Sequence, residues 1–158
     1  MITYIKGDIF KGGDQVIVHG CNCLHTFGAG VALQVNRLYP GAFNADMETG
    51  YKDAGKLGTY SFWEGKNYYL PAQPITIVNA YTQFYPGANF DYNALERVLP
   101  FIRNRWGSVA MPKIGAGIAG GDWIRIEEMI NSCFGKIEVK IYILYNNNNN
   151  LYNFYFIL

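Results

Sequence analysis

Within the stretch HGCNCLH, His19, Cys21, Cys23 and His25 alternate, and each of these side-chain types can ligate a metal or carry a proton. One zinc ion would need their ligand atoms about 3.5–4 Å apart, since zinc–sulfur bonds are about 2.3 Å. Alternate residues of an extended strand stand about 6.6 Å apart, so four in a row do not converge on one ion. Structural zinc sites draw C-x2-C knuckles from two places, and the one other cysteine, Cys133, stands alone on an expected helix face. Cys21 and Cys23 also lack the C-x-x-C helix-start setting of a redox couple. No metal is assigned. His19 and Cys21 read as packed residues at a strand end, which leaves the asparagine between the cysteines to explain.

Two glycine-rich segments offer a different chemistry. Gly28-Ala29-Gly30 forms one, and Gly115, Gly117, Gly120 and Gly121 form the other. Each follows an expected buried strand and opens an expected helix. Backbone N–H groups and the helix dipole favour an anion there, and glycine lets the backbone approach it closely. The pair suggests a cradle for two phosphates at the carboxyl ends of the strands. Residues 115–120 also fit G-x-G-x-x-G, with Glu138 in place of a ribose-binding acid, but that loop normally follows the first strand and here lies late in the chain. No Gly-Lys-Ser/Thr follows either loop, so the Walker pattern is absent.

The elements that must hold these loops alternate in type. ITYIKGD starts as a strand, and QVIVHG is a second, apolar along nearly its whole length, as strands buried on both faces are. Val31, Val35 and Leu38 mark a helix that Pro40 and Gly41 end, and a short polar helix follows over roughly 41–54. TYSFWEG, NYYL and ITIVNAYTQ read as three strands. Asp91 caps a helix with Leu95, Val98, Leu99 and Ile102 on its apolar face, and Pro100 predicts a kink or an early end. SVAMP is a strand, and DWIRIEEMINSCF is a helix capped by Asp122. EVKIYILY is the last strand. The pattern predicts an α/β domain with helices over a mostly parallel or mixed sheet.

Composition agrees with one globular domain. Of 158 residues, half are hydrophobic and only 16% charged, which excludes a disordered chain. A net charge of +1 excludes a polybasic nucleic-acid binder, so an anion must be held by local geometry. Three cysteines form no disulfide framework and suit a reducing compartment. MITYIKGDIF lacks the layout of an export signal, and no apolar run approaches the roughly 18 residues of a membrane span. A soluble cytoplasmic protein is expected. The end, NNNNNLYNFYFIL, is low-complexity sequence.

Five motifs in order, KGDIF, VIVHGCNC, GAGVA, NAYTQ and MPKIGAGIAGGDW, closely resemble the macrodomain family. The likeness is to its single-domain ADP-ribose 1″-phosphate phosphatases and terminal ADP-ribose hydrolases. It covers residues 1–145, leaving 146–158 as a tail outside it. The resemblance implies a three-layer α/β/α fold with a central mixed sheet and an ADP-ribose cleft at the strand ends. It implies no cofactor. Asp8, with Gly7 and Ile9 beside it, matches the acid that takes the adenine amino group, as suits an acceptor-only carboxylate. Asn22 matches the asparagine at the distal ribose. Gly28, Ala29, Gly30 and Val31 resemble the loop around that ribose and its phosphate. Ile114, Gly115, Ala116, Gly117, Ile118 and Ala119 resemble the loop around the diphosphate. Tyr145 stands where an aromatic ring could stack on adenine.

The chain departs from the terminal hydrolases at two places. Gln83 stands where they use a lysine, and Ala119 where they use an acid, so their lysine-adduct chemistry does not carry over. Asn22, His25 and Asp122 remain near the distal ribose, and His25 carries an imidazole, a side-chain type suited to general acid/base work. The resemblance implies hydrolysis of ADP-ribose 1″-phosphate to ADP-ribose and phosphate. Two alternatives stand beside it, a non-catalytic ADP-ribose-binding module and a hydrolase that frees ADP-ribose from modified protein or nucleic acid. The expected partner is a small ADP-ribose derivative, with no membrane. The near-neutral charge weighs against nucleic acid.

Overall fold

A computed structural model describes residues 1–144. The expectations for Tyr145 and the asparagine-rich tail lie outside the described residues. Six strands form one sheet: β1 (Ile2–Lys6), β2 (Val16–Cys21), β3 (Tyr60–Lys66), β4 (Pro74–Tyr81), β5 (Val109–Met111) and β6 (Val139–Ile143). Their order is β1-β6-β5-β2-β4-β3. Every pairing is parallel except β3 with β4, so the sheet is mixed.

Four helices cover the two faces: α1 (Gly30–Leu38), α2 (Pro40–Met47), α3 (Tyr92–Trp106) and α4 (Trp123–Phe134). Successive strand residues point to opposite faces. Val18, Val78, Ala80 and Met111 therefore pack with Leu95 and Ile102 of α3 and Ile126 and Ile130 of α4. Ile17, Ile75, Ile77 and Tyr81 pack with Val35 of α1 and Ala42 of α2. The result is the expected three-layer α/β/α arrangement. Among the described residues, no helix is long and apolar enough to cross a membrane.

Four local expectations are corrected. Pro40 does not merely end a helix; it begins α2, where its fixed φ suits the first turn and its missing N–H costs nothing. The polar helix over 41–54 stops at Met47, and only a 3-10 turn, Ala54–Lys56, follows. NYYL is no strand. Asn67 Oδ1 accepts from the N–H groups of Tyr69 and Leu70, which turns the chain there, and β3 pairs directly with β4. Pro100 does not end α3, which continues to Trp106 because five residues, Ala94, Leu95, Val98, Leu99 and Ile102, bury one face and Pro100 lies on the exposed one.

Candidate ligand-binding cleft

The parallel strands β2, β4, β5 and β6 deliver their carboxyl ends to one rim, and a cleft of about 420 Å³ opens there. Gly20, Cys21 and Thr82 lie at its base, the two glycine loops form two walls, and Tyr142, Ile143 and Leu144 close one end.

The first loop starts α1 without a side-chain cap, because Ala29 stands at the capping position. The N–H groups of Gly30, Val31 and Ala32 consequently have no partner among the described residues, and all three residues line the cleft. Gly30 adopts φ 61°, a conformation that favours glycine. The second loop turns sharply at Gly115 (φ 74°) and is tied across by a 2.8 Å bond from Gly121 N–H to the Gly115 carbonyl. A Cβ on Gly115 would stand 2.3 Å from the Phe90 ring, so glycine is required there. Gly117, Ile118 and Ala119 line the cleft, and their N–H groups make no hydrogen bond among the described residues. Both loops thus present unpaired donors, the arrangement an anion needs.

Among the described residues Lys113 is the one charged residue in the wall, with its ammonium 5.7 Å from the centre of the Trp123 ring. Neither carboxylate nor imidazole lines the cleft among the described residues. The described wall therefore carries one positively charged side chain and no negatively charged one.

The other anticipated residues divide between wall, rim and interior. Asn22 lines the cleft, but its amide is occupied in building the loop. It donates to Thr26 Oγ1 (2.7 Å) and to the Thr26 carbonyl (3.2 Å), while its Oδ1 accepts from Leu24 N–H (2.9 Å). Gln83 also lines the cleft, and its amide N–H groups go to the carbonyls of Tyr85 and Gly87. Asp8 accepts from Phe10 N–H and so caps a 3-10 turn, Ile9–Lys11. It stands next to the end wall, where Gly7 N–H binds the Ile143 carbonyl, but does not itself line the cleft. Ile9 is fully buried in the core, and Ala116 packs against the α3–α4 side, so neither faces the cleft. Asp122 is exposed and caps α4 through Ile124 N–H, also outside the wall.

His25 is not brought to the cleft wall. Its backbone takes φ 54° and its ring turns inward to Asp46, with Nδ1 2.8 Å from Oδ2. Asp46 is fully buried. Its Oδ1 receives the Tyr81 hydroxyl at 2.7 Å and the Lys56 ammonium at 3.3 Å. Burial, first of all, drives the Tyr81 phenol well above its usual range, so it stays a donor to that carboxylate. The cluster fastens the first loop to α2 and β4.

The alternating His and Cys residues form no metal site; among the described residues no group of His, Cys, Asp and Glu is placed to hold one. His19 is fully buried and its Nε2 lies 2.7 Å from Asn79 Oδ1. Burial lowers its pKa to about 4, which keeps it neutral, and burial raises the Cys21 thiol well above its usual value. Cys23 points to the Gln83 carbonyl.

Sequence reasoning missed Lys113 and Thr82 as wall residues. Each lies within a motif, MPKIGAG and NAYTQ, and the strand ends there are the signal that places them at the rim.

Comparison with known proteins gives a consistent set. The family described as "Macro domain" matches residues 18–130. A protein of Enterobacteria phage T4, described as an uncharacterized 17.5 kDa protein in the tk-vs intergenic region, is 40% identical, over 89% of this chain and 95% of its own. A DNA ADP-ribosyl glycohydrolase of Mycobacterium tuberculosis is 29% identical over 92% of this chain, which spans 42% of that protein. An ADP-ribose 1″-phosphate phosphatase of Candida albicans is 26% identical over 91% of this chain and all of its own. The solved macrodomain of Mycobacterium tuberculosis DarG superposes with a TM-score of 0.71 at 27% identity, over 90% of this chain and 97% of its own.

Proposed function

The chain belongs to the macrodomain family, and from that premise we propose that its cleft binds ADP-ribose and that it hydrolyses an ADP-ribose derivative, ADP-ribose 1″-phosphate first among them. One observation carries the reading: two glycine loops present unpaired N–H groups to a cleft whose single charged wall residue, among those described, is Lys113. A diphosphate needs such a site, with donors and a cation on its walls and no carboxylate to repel it.

Release of phosphate from the 1″ position fits the same donors. Water attacks phosphorus and gives up a proton to solvent, the bond from phosphorus to the 1″ oxygen breaks, and that oxygen leaves with the electron pair and takes a proton from solvent, giving ADP-ribose and phosphate. Phosphoryl transfer of this kind depends mainly on position and on charge stabilisation. Asn22 Oδ1, which accepts one hydrogen bond from Leu24, keeps a lone pair for the attacking water. The relatives named for phosphatase and glycohydrolase activity support a hydrolase. Three free thiols suit a reducing, cytoplasmic setting.

A second reading, capture of ADP-ribose without turnover, is favoured by the absence of any carboxylate or imidazole in the described wall and by the occupied amide of Gln83. Titration with ADP-ribose tests binding, and phosphate release from ADP-ribose 1″-phosphate tests turnover. Binding with no release at high protein concentration decides for the second reading. No binding overturns both.

A further inference from the structure

The most deeply buried polar side chain in the cleft wall has its hydrogen-bonding capacity unspent. Thr82 is 1% exposed, and its Oγ1 has no partner among the described residues. The residue itself is firmly held. Its N–H binds the Cys21 carbonyl at 3.1 Å and its carbonyl receives Asp91 N–H at 2.8 Å. The hydroxyl lies over Gly20, where an added Cβ would stand 2.9 Å from Oγ1 and 3.2 Å from the Ile114 side chain. Gly20, Thr82 and Ile114 all line the cleft. A buried hydroxyl without a partner is disfavoured unless something supplies one. Asn22 and Gln83, the other side-chain amides in the wall, do not supply it: their N–H groups go to Thr26, Tyr85 and Gly87, and neither amide oxygen reaches the hydroxyl.

We propose that Thr82 is a ligand-binding residue, whose hydroxyl meets an oxygen of the bound ligand, directly or through one trapped water, at the base of the cleft between the two glycine loops. A hydroxyl both donates and accepts, so it suits a phosphate oxygen or a sugar hydroxyl alike. Gly20 has no side chain to crowd it. The role makes Thr82 a specificity determinant: an oxygen at that depth is accepted, and an apolar group there leaves the hydroxyl unpaired. The inference rests on the reading of the cleft as an ADP-ribose site.

Thr82→Val keeps the branched shape and removes the hydroxyl, while Thr82→Ser keeps the hydroxyl. Each is compared with the wild-type protein in thermal unfolding without ligand and in calorimetric titration with ADP-ribose. Expected are an unliganded Thr82→Val protein that melts at or above the wild-type temperature, ADP-ribose affinity about 3- to 10-fold weaker in that variant, and affinity within about 2-fold of wild type in Thr82→Ser. Undiminished affinity in Thr82→Val overturns the inference and leaves the reading of the cleft standing. So does a lowered melting temperature in the unliganded Thr82→Val protein, since the hydroxyl then already has an internal partner. A wild-type protein that does not bind ADP-ribose overturns the reading of the cleft, and the role of Thr82 falls with it.

Discussion

Asp46 Oδ2 lies 2.8 Å from His25 Nδ1, and the pair joins the middle of α2 to the loop that forms one wall of the cleft. Both side chains are almost wholly removed from solvent, at 8% exposure for His25 and 0% for Asp46. The same carboxylate holds Lys56 and Tyr81. The histidine that the sequence offers as a proton carrier is thus a strut.

Removing the carboxylate is expected to be costly. Asp46→Ala leaves the Lys56 ammonium, 5% exposed, without its counter-charge and the Tyr81 hydroxyl without its acceptor. Loss of one partner of a buried pair costs about 3–5 kcal/mol. Urea unfolding of the variant checks this. A change below about 1 kcal/mol would show that the cluster is not held as described.

His25→Ala is expected to act on stability and not on proton transfer. It deletes a hydrogen bond to a charged, buried acceptor, which lowers stability by about 1–3 kcal/mol. If the protein releases phosphate from ADP-ribose 1″-phosphate, the pH profile of kcat/KM keeps its shape in the variant. Loss of one limb of that profile would instead assign the imidazole a role at the reacting atoms.

Lys113→Met keeps much of the apolar stem and removes the only charge in the described wall. ADP-ribose binding is expected to weaken about tenfold at low salt, with folding stability within about 0.5 kcal/mol of wild type. The dependence of affinity on salt should become shallower, because a screened attraction has been removed. Calorimetry at two ionic strengths reads both effects, and equal salt dependence in the two proteins would place the ammonium away from the ligand.

Stability should also change with pH through His19. Its folded pKa is lowered to about 4 from an ordinary 6.5, chiefly by burial. Between those values the unfolded chain binds the proton that the folded one refuses. The contribution is complete above about pH 6.5 and disappears as pH falls toward 4, at most about 3 kcal/mol. Denaturant unfolding from pH 7 to pH 4 should show the decline. His19→Gln, which removes the titrating group, should flatten it.

Much of this architecture is legible locally. Asp91 and Asp122 announce the starts of α3 and α4 because a capping bond spans only two or three residues. The glycine loops are legible because their residues must take conformations that side chains resist, as at Gly30 and Gly115. Pro100 misleads because a local rule is overridden by the burial of Leu95, Leu99 and Ile102. The His25–Asp46 bond is invisible in the sequence, since it crosses 21 positions and depends on how α2 docks. Ile9 and Ala116 show the same limit at single residues: a motif places a backbone at the cleft, but the pleat and the turn decide which side chains face it.

The pairing of β1 with β6 brings Ile2 beside Val139, and Gly7 N–H beside the Ile143 carbonyl at the closed end of the cleft. This pairing closes the longest loop of any strand pair among the described residues, and loop closure of that length carries the largest entropic cost. Among the described strands β1 is made first and its neighbour β6 last, so the pair cannot form until the strands between them exist. The cleft's end wall is made of the same late strand. That end of the cleft is therefore the part of the site that depends on the longest-range strand pairing among the described residues.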